Sequence, residues 1–541
     1  MSQYLENNMT ENSSNITQVE LGKKTAIGTG VRQSAFFGDS GMDNEIDRIT
    51  LDMQRIYKAD DMPWVVTYSG GKDSTAVLQL VWTAIAGLEK SELHKPVYVI
   101  TNDTLVENPI VSSWVKQSLD TMRQAAEKAH LPIYPNLITP EVSKTFWVNL
   151  IGRGYPAPNT RFRWCTERMK ISPTTTFIRK LTEAGDIKHA SVIILLGTRK
   201  AESAARSKRI TDTQKRATRE LLVPHHEIAS ALTWAPIAEW TNDDVWTYLT
   251  SKENPWGHKN TELLALYASA TEDAECPVVI DTSTPSCGNS RFGCWTCTLV
   301  EKDKSMSAMI HNDDQKEWMF PLLEIRDELA ASGQGEKRQE MRDFRRMTGT
   351  VSLHDGKEVR GPYTQKSRSY WLEKVLTAQT WIRENGPEEV SDLELITHEE
   401  LLEIRRIWVL EKHEREDMLP VIYEKSTGER FLDTGTVDDS FPFNSNDLKE
   451  LENIADHHLQ YELLRELISV EHTASVQSNR MGIWDQLNKA FDRSGFTSEE
   501  EAIDAKKASV RSRDAASKGN QLTYEEARDE VTAGIPGLER T

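Results

Sequence analysis

Cysteine is scarce in this chain, with five residues in 541, and four of the five fall within residues 276–297. So few thiols, so clustered, exclude a disulfide-stapled secreted scaffold and suggest metal binding instead. Long apolar runs are also missing. No uncharged stretch approaches the ~20 residues a membrane helix requires, and the first twenty residues hold no apolar core for a secretory signal. The expectation is a cytoplasmic protein with no membrane contact. Positive charge is in deficit too: 65 Lys and Arg stand against 84 Asp and Glu, a net charge of -19. A chain of that charge does not coat nucleic acid indiscriminately, so any polyanion must be met by local basic clusters.

What is present organises into blocks. Residues 1–44 are rich in Asn, Ser, Gly and Thr without periodicity and read as a flexible arm. Over 45–255, short β-rich runs (64–68, 97–101, 191–197) alternate with helical patterns, the signature of an α/β fold with a parallel sheet flanked by helices. Val77, Leu80, Val81, Ala84, Ile85 and Leu88 repeat at helical spacing, so residues 69–74 join a strand to a helix, where α/β folds bind ligands. Residues 256–320 form a cysteine-rich lobe. Residues 321–497 are mostly helical, with a capping box from Thr397 to Glu400. The stretch 498–541 reads as a charged tail, a frayed helix or disordered.

The strand-to-helix turn is Y-S-G-G-K-D-S, Tyr68 to Ser74. It lacks the G-x-x-x-x-G-K-S/T spacing of the triphosphatase loop. Gly70 and Gly71 allow a tight turn, while Ser69, Ser74 and the helix N-terminus offer donors to an oxyanion. Lys72 supplies a point cation. Asp73 reads as a Mg2+ ligand or as a helix cap. A capped Gly-Gly turn with no ligand is the plain alternative.

Downstream stand R-W-C-T-E-R-M-K-I-S-P (163–173), G-T-R-K-A-E-S-A-A-R (197–206) and W-A-P-I-A-E-W-T-N-D-D-V-W-T-Y-L (234–249). Gly197 ends a strand and leaves room for a ligand; Arg199 and Arg206 offer planar forks for phosphate, and Glu202 can orient one of them. Residues 199–219 hold eight basic residues against Glu202 and Asp212, a possible polyanion track, with a solvated helix face as the bland reading. Trp234, Trp240 and Trp246 are expected in the core. With the loop, these motifs resemble the phosphoadenosine phosphosulfate reductase branch of the PP-loop ATP pyrophosphatase superfamily. The resemblance implies that Tyr68 to Ser74 and Gly197 to Arg199 hold ATP, and that Asn102 and Asp103 contact its adenosine.

Cys276, Cys287, Cys294 and Cys297 are separated by ten, six and two residues. Four thiolates suit a [4Fe-4S] cluster or structural zinc by count. The irregular spacing, the adjacent Trp295 and the preceding sulfur-handling domain favour iron–sulfur. Cys165 lies beside Arg161, Arg163, Arg168 and Lys170, which are expected to depress its pKa and leave a reactive thiolate. Related cluster-bearing reductases carry a cysteine pair near this point, of which one is present here. Either Cys165 replaces one of the four as a cluster ligand, or it is a free thiol that handles sulfur.

No cysteine follows Cys297, so a reductase using a C-terminal nucleophilic cysteine is poorly supported. Together with C-G-N-S-R-F-G-C-W-T-C-T (287–298) and G-P-Y-T-Q-K-S-R-S-Y-W-L-E-K-V-L (361–376), the motifs are similar to the DndC family, the ATP-using sulfurtransferases of bacterial DNA phosphorothioation, a DNA modification tied to restriction. The resemblance implies adenylylation of a DNA backbone phosphate, pyrophosphate release and replacement of a non-bridging oxygen by sulfur. Lys72, Asp73, Arg199 and Arg206 would serve the first step and Cys165 or the cluster the second. Implied partners are DNA, a cysteine desulfurase and the companion proteins DndD and DndE. A second basic group, Lys337, Arg338, Arg342, Arg345 and Arg346 with Arg360, Lys366 and Arg368, is expected to position DNA. The alternatives are an adenylyl-sulfate reductase, a tRNA sulfurtransferase and a non-catalytic DNA-binding or partner-binding scaffold.

Overall fold

A computed structural model describes residues 34–36, 41–183, 191–217, 221–271, 292–433, 435, 443, 445–476, 482–517 and 526, all within one compact unit. The chain runs α1 (Gly41–Lys58), β1 (Trp64–Thr67), α2 (Lys72–Ala86), β2 (Val97–Asn102), α3 (Pro109–Ala129), β3 (Ile133–Ile138), α4 (Trp164–Thr166), α5 (Ser172–Glu183), β4 (Val192–Leu195), α6 (Ala204–Gln214), β5 (Val223–Pro224), β6 (Ala231–Trp234), α7 (Asn242–Ser251) and α8 (Asn260–Ser269). The strands order as β3-β2-β1-β4-β6-β5 and are parallel except β5, which runs antiparallel to β6. β1 sits between β2 and β4, with Trp64 in register with both Val97 and Ile193. A central strand covered on both faces must be apolar throughout, and Trp64, Val65 and Val66 are fully buried. The strands expected at 64–68, 97–101 and 191–197 are β1, β2 and β4.

α1 packs on α2 through Ile49 and Met53, so ordered structure begins inside the stretch read as an arm; most of that arm lies outside the described residues. The cysteine-rich lobe does not carry a core of its own among the described residues. Trp256, Leu263 and Tyr267 belong to the α/β core, whereas Trp295, Met306 and Trp318 belong to a second core built with the C-terminal helices. The stretch read as a charged tail begins with a packed helix. Glu499–Ser517 is a helix whose Ala502 packs with Phe344 and Val351, and whose Glu499 pairs with Arg360 at 2.6 Å.

The second core reaches back to the segment between β3 and α5. Phe146, Trp147, Leu150, Ile151, Trp164 and Met169 leave the sheet and bury among Trp371, Leu376, Ile404 and Trp408. Two indoles lock this docking: Trp147 donates to the Leu395 carbonyl at 2.7 Å, and Trp408 to the Ile151 carbonyl at 2.9 Å. Close approach is needed as well, since a Cβ on Gly152 would lie 3.2 Å from Ile407 Cδ1. This is the segment that carries Cys165. Replacing the fully buried Trp147 with Ala should cost about 3–5 kcal/mol, read as a lower urea midpoint.

Candidate functional site

The turn between β1 and α2 is shaped by packing and by backbone conformation. Gly70 has φ 73°, and a Cβ there would lie 2.4 Å from Val115 of α3. Only glycine meets both conditions. The Ser74 hydroxyl closes the loop, donating to the Gly71 carbonyl at 2.9 Å and accepting the Ser69 N–H at 3.2 Å. Tyr68 is buried, with its hydroxyl 2.8 Å from that of Ser118. The N-cap of α2 is Gly71, so Asp73 is not the helix cap the sequence allowed.

Asp73 does something else. The chain leaving β4 lies directly on the first turn of α2: a Cβ on Gly197 would sit 2.9 Å from the Asp73 carbonyl carbon and the Ser74 nitrogen. Two residues on, the buried Arg199 donates through Nε to Asp73 at 2.7 Å, and Lys72 Nζ faces the other Asp73 oxygen at 3.4 Å. One carboxylate thus serves two cations. Burial pulls the Lys72 pKa below its usual value, and Asp73 offsets part of that. Each Asp73 oxygen thus faces one of the two cations. Glu202 accepts the Arg199 backbone N–H at 2.9 Å and pairs with Arg206, so it orients Arg206. At the end of β2, the Asn102 amide bonds Thr174 at 2.9 Å, while Asp103 caps the Leu105 N–H at 2.9 Å and faces Lys116 at 3.4 Å.

These residues line one cleft of about 830 Å3; Gly70 alone of the expected nucleotide-side residues does not, lying beneath the turn. Glu107, Lys170 and Phe292 line the same cleft and lead to the cysteines. Glu107 forms an antiparallel bridge with Cys294, supported by Trp295 N–H to the Val106 carbonyl at 2.9 Å. Thr104 Oγ1 is 3.3 Å from Cys294 Sγ, and the Cys297 N–H returns to the Cys294 carbonyl at 3.0 Å. α4 and the wide helical turn Glu167–Ile171 bring in Cys165 and Lys170, whose ammonium is 3.4 Å from Glu107. Charge on Cys297 acts on both Cys165 and Cys294, and Lys170 feels both of the latter. Cys165 and Cys294 pack against the same core.

The expected depression of the Cys165 pKa does not occur. Burial dominates and pushes the thiol up, with Lys170 pulling it down by less. Arg168 is turned to the Tyr155 hydroxyl at 3.0 Å, and Arg161 and Arg163 are exposed. Burial also pushes the Cys294 thiol up, aided by Glu107. Cys276 and Cys287 lie outside the described residues. Among the described residues no three His, Cys, Asp or Glu side chains are set to hold a metal ion. The donor chemistry of the locus nonetheless suits a thiolate-bound group. Cys276, Cys287, Cys294 and Cys297, or Cys165 in place of one of them, would hold it as thiolates, and binding would release their protons.

Sequence reading missed Arg326. It is fully buried and donates to the carbonyls of Cys297 at 3.0 Å, Glu301 at 2.7 Å and Val300, fixing the loop after C-x-x-C. The signal was an arginine on the apolar face defined by Leu322, Ile325 and Leu329. The second basic group is largely turned inward. Arg342 donates to the Gly361 and Arg360 carbonyls, Arg345 pairs with Asp343 and Glu462, and Arg368 pairs with Glu414. α6 differs, with no buried residue, so Lys208, Arg209, Lys215 and Arg216 are exposed beside Arg206 at the cleft; Arg219 lies outside the described residues.

Residues 63–300 match the family described as phosphoadenosine phosphosulfate reductase domain. Over that stretch, less than half of its length, the chain is similar to this domain. An uncharacterized protein of Methanocaldococcus jannaschii is 28% identical over 204 residues, 38% of this chain and 35% of that protein, so the match spans about a third of the relative's length. The U34-tRNA thiolase NcsA from Methanococcus maripaludis, solved with its [4Fe-4S] cluster, is 12% identical with a TM-score of 0.23, over 54% of this chain and 80% of that one. Among the described residues no helix is long and apolar enough to cross a membrane.

Because Asp73 compensates two buried cations, Asp73→Ala should destabilise the fold by about 3–5 kcal/mol, as removing one partner of a buried ion pair does. The midpoint of thermal unfolding checks this, and Asp73→Asn should lie between the two.

Proposed function

We propose that the protein is an ATP-dependent sulfurtransferase that activates a DNA backbone phosphate and replaces one non-bridging oxygen with sulfur. The observation that carries this reading is a cleft with a phosphate-cradling loop at one end and, at the other, Glu107, which bridges Cys294 through its backbone and faces the Cys294 thiol at 3.6 Å. A nucleotide loop alone would serve many reactions. Joined to thiols, it fits activation followed by sulfur transfer.

A phosphodiester oxygen is a poor leaving group, so it must first be made into a good one. The backbone oxygen attacks the α-phosphorus of ATP, and pyrophosphate leaves into the turn from Ser69 to Ser74. Lys72 and Arg199, sharing only one carboxylate, have positive charge to spare for it. Arg206, oriented by Glu202, stands at the mouth with the exposed cations of α6, where a polyanion would approach. A cysteine desulfurase would place a persulfide on Cys165. Its terminal sulfur attacks phosphorus and AMP leaves. A second thiol then attacks Cys165 Sγ, the S–S bond breaks with its electron pair left on the phosphorus-bound sulfur, and the resulting disulfide is reduced by an external dithiol. A thiolate-bound iron–sulfur group would supply redox or sulfur-binding chemistry at Cys294 and Cys297. DndD and DndE are the companions expected to present the DNA.

Lys72→Ala should abolish ATP–pyrophosphate exchange. Cys165→Ser should retain exchange yet yield no phosphorothioate dinucleotides from DNA. Sulfur appearing in tRNA instead, or sulfite released from adenylyl sulfate, would replace this reading with a tRNA thiolase or a reductase. Iron and sulfide analysis after anaerobic purification should show iron kept in Cys165→Ser and lost in Cys276→Ser; the reverse result makes Cys165 a ligand.

A further inference from the structure

Tyr267 of α8 reaches from outside the sheet to the phosphate loop. Its hydroxyl accepts the backbone N–H of Lys72, the first residue of α2, at 3.3 Å, and a Cβ on Gly71 would lie 3.2 Å from it. The Lys72 ammonium sits 5.4 Å from the centre of its ring. A helix-terminal amide facing the cleft is what a phosphate oxygen would take, and here a side chain of the same protein holds it. The ring is buried, wedged edge-on between Trp246 at 5.1 Å and Phe292 at 4.6 Å. Phe292 lines the cleft two residues before Cys294, whose strand pairing with Glu107 starts at the next position but one.

We propose that Tyr267 is a latch that occupies the phosphate loop when it is empty, is displaced when pyrophosphate or the ATP phosphates arrive, and passes that displacement through Phe292 to the C-x-x-C segment. Tyr267 is a positioning residue in this account, since it acts on the thiols through Phe292. The physical requirement is modest. One neutral hydrogen bond is exchanged for one to a charged acceptor, and interiors packed at crystal-like density cannot absorb a moved ring without moving its neighbour. The inference rests on the reading of Ser69 to Ser74 as a pyrophosphate site and adds to it a signal from nucleotide to sulfur.

The test pairs calorimetric titration of sodium pyrophosphate with hydrogen–deuterium exchange of the amides over 293–297, on the full chain and on Tyr267→Phe and Phe292→Ala. Removing the competing hydroxyl in Tyr267→Phe should tighten pyrophosphate binding about twofold to tenfold, the worth of one ordinary hydrogen bond. In the parent, saturating pyrophosphate should speed exchange over 293–297; Tyr267→Phe should start in the faster regime, and Phe292→Ala should lose the response. Weaker binding by Tyr267→Phe would make the hydroxyl a phosphate ligand and end the latch. Binding to the parent without a change in exchange would end the relay and leave the pyrophosphate site standing. No binding to the parent would remove both.

Discussion

The bridge between Glu107 and Cys294 is the contact on which the site depends. β2 delivers its C-terminal end beside the phosphate loop, as parallel sheets do, and the six residues that follow would otherwise be an ordinary strand-to-helix connection. Pairing that connection with the C-x-x-C segment imports thiols from almost two hundred residues away. The imported segment is then held from behind. Arg326 binds its carbonyls, and Trp295 packs on Trp147 with ring centres 5.7 Å apart. Nothing in the α/β core alone would place sulfur next to a nucleotide.

Electrostatics divides the chain in a second way. A net charge of -19 would repel a polyanion, and beyond residue 340 Arg345, Arg360, Arg368 and Arg465 are paired with Asp343, Glu358, Glu414, Glu416 and Glu462. Around the phosphate loop the balance reverses, because Lys72 and Arg199 share a single carboxylate. Positive charge therefore meets the cleft at the loop and on the exposed helix beside it. The net negative charge of the chain discourages other modes of contact by a polyanion.

The parts written in local pattern were legible from the residues: the three strands, the helix after the loop, the Thr397 capping box and the tryptophans of the α/β core. What could not be read were interactions whose partners lie far apart in sequence. Asp73 looked like a cap because its pairing with Arg199, 126 positions away, leaves no local trace. Cys165 looked activated because its basic neighbours are adjacent in sequence, whereas folding exposes two of them, turns Arg168 aside and buries the thiol. The second basic group looked like a DNA surface for the same reason, since arginines spaced to bind phosphate are equally spaced to bind glutamates on other helices.

The C-terminal helices take on a definite role in this light. A sheet domain could bind a nucleotide without them, but the segment carrying Cys165 has no core of its own and buries Trp147, Ile151 and Trp164 against Trp371, Ile404 and Trp408. Cys294 and Cys297 stand at the border of the same second core. The described thiols thus pack at the border of the helical half, with Cys294 also held from the sheet side by Glu107, while the residues expected to bind the nucleotide are positioned by the α/β half. The cleft is the seam between two independently packed cores, so the distance between nucleotide and sulfur is set by how those cores meet. A device such as the Tyr267–Phe292 contact, which crosses from one core to the other, lies where a small displacement changes that distance most.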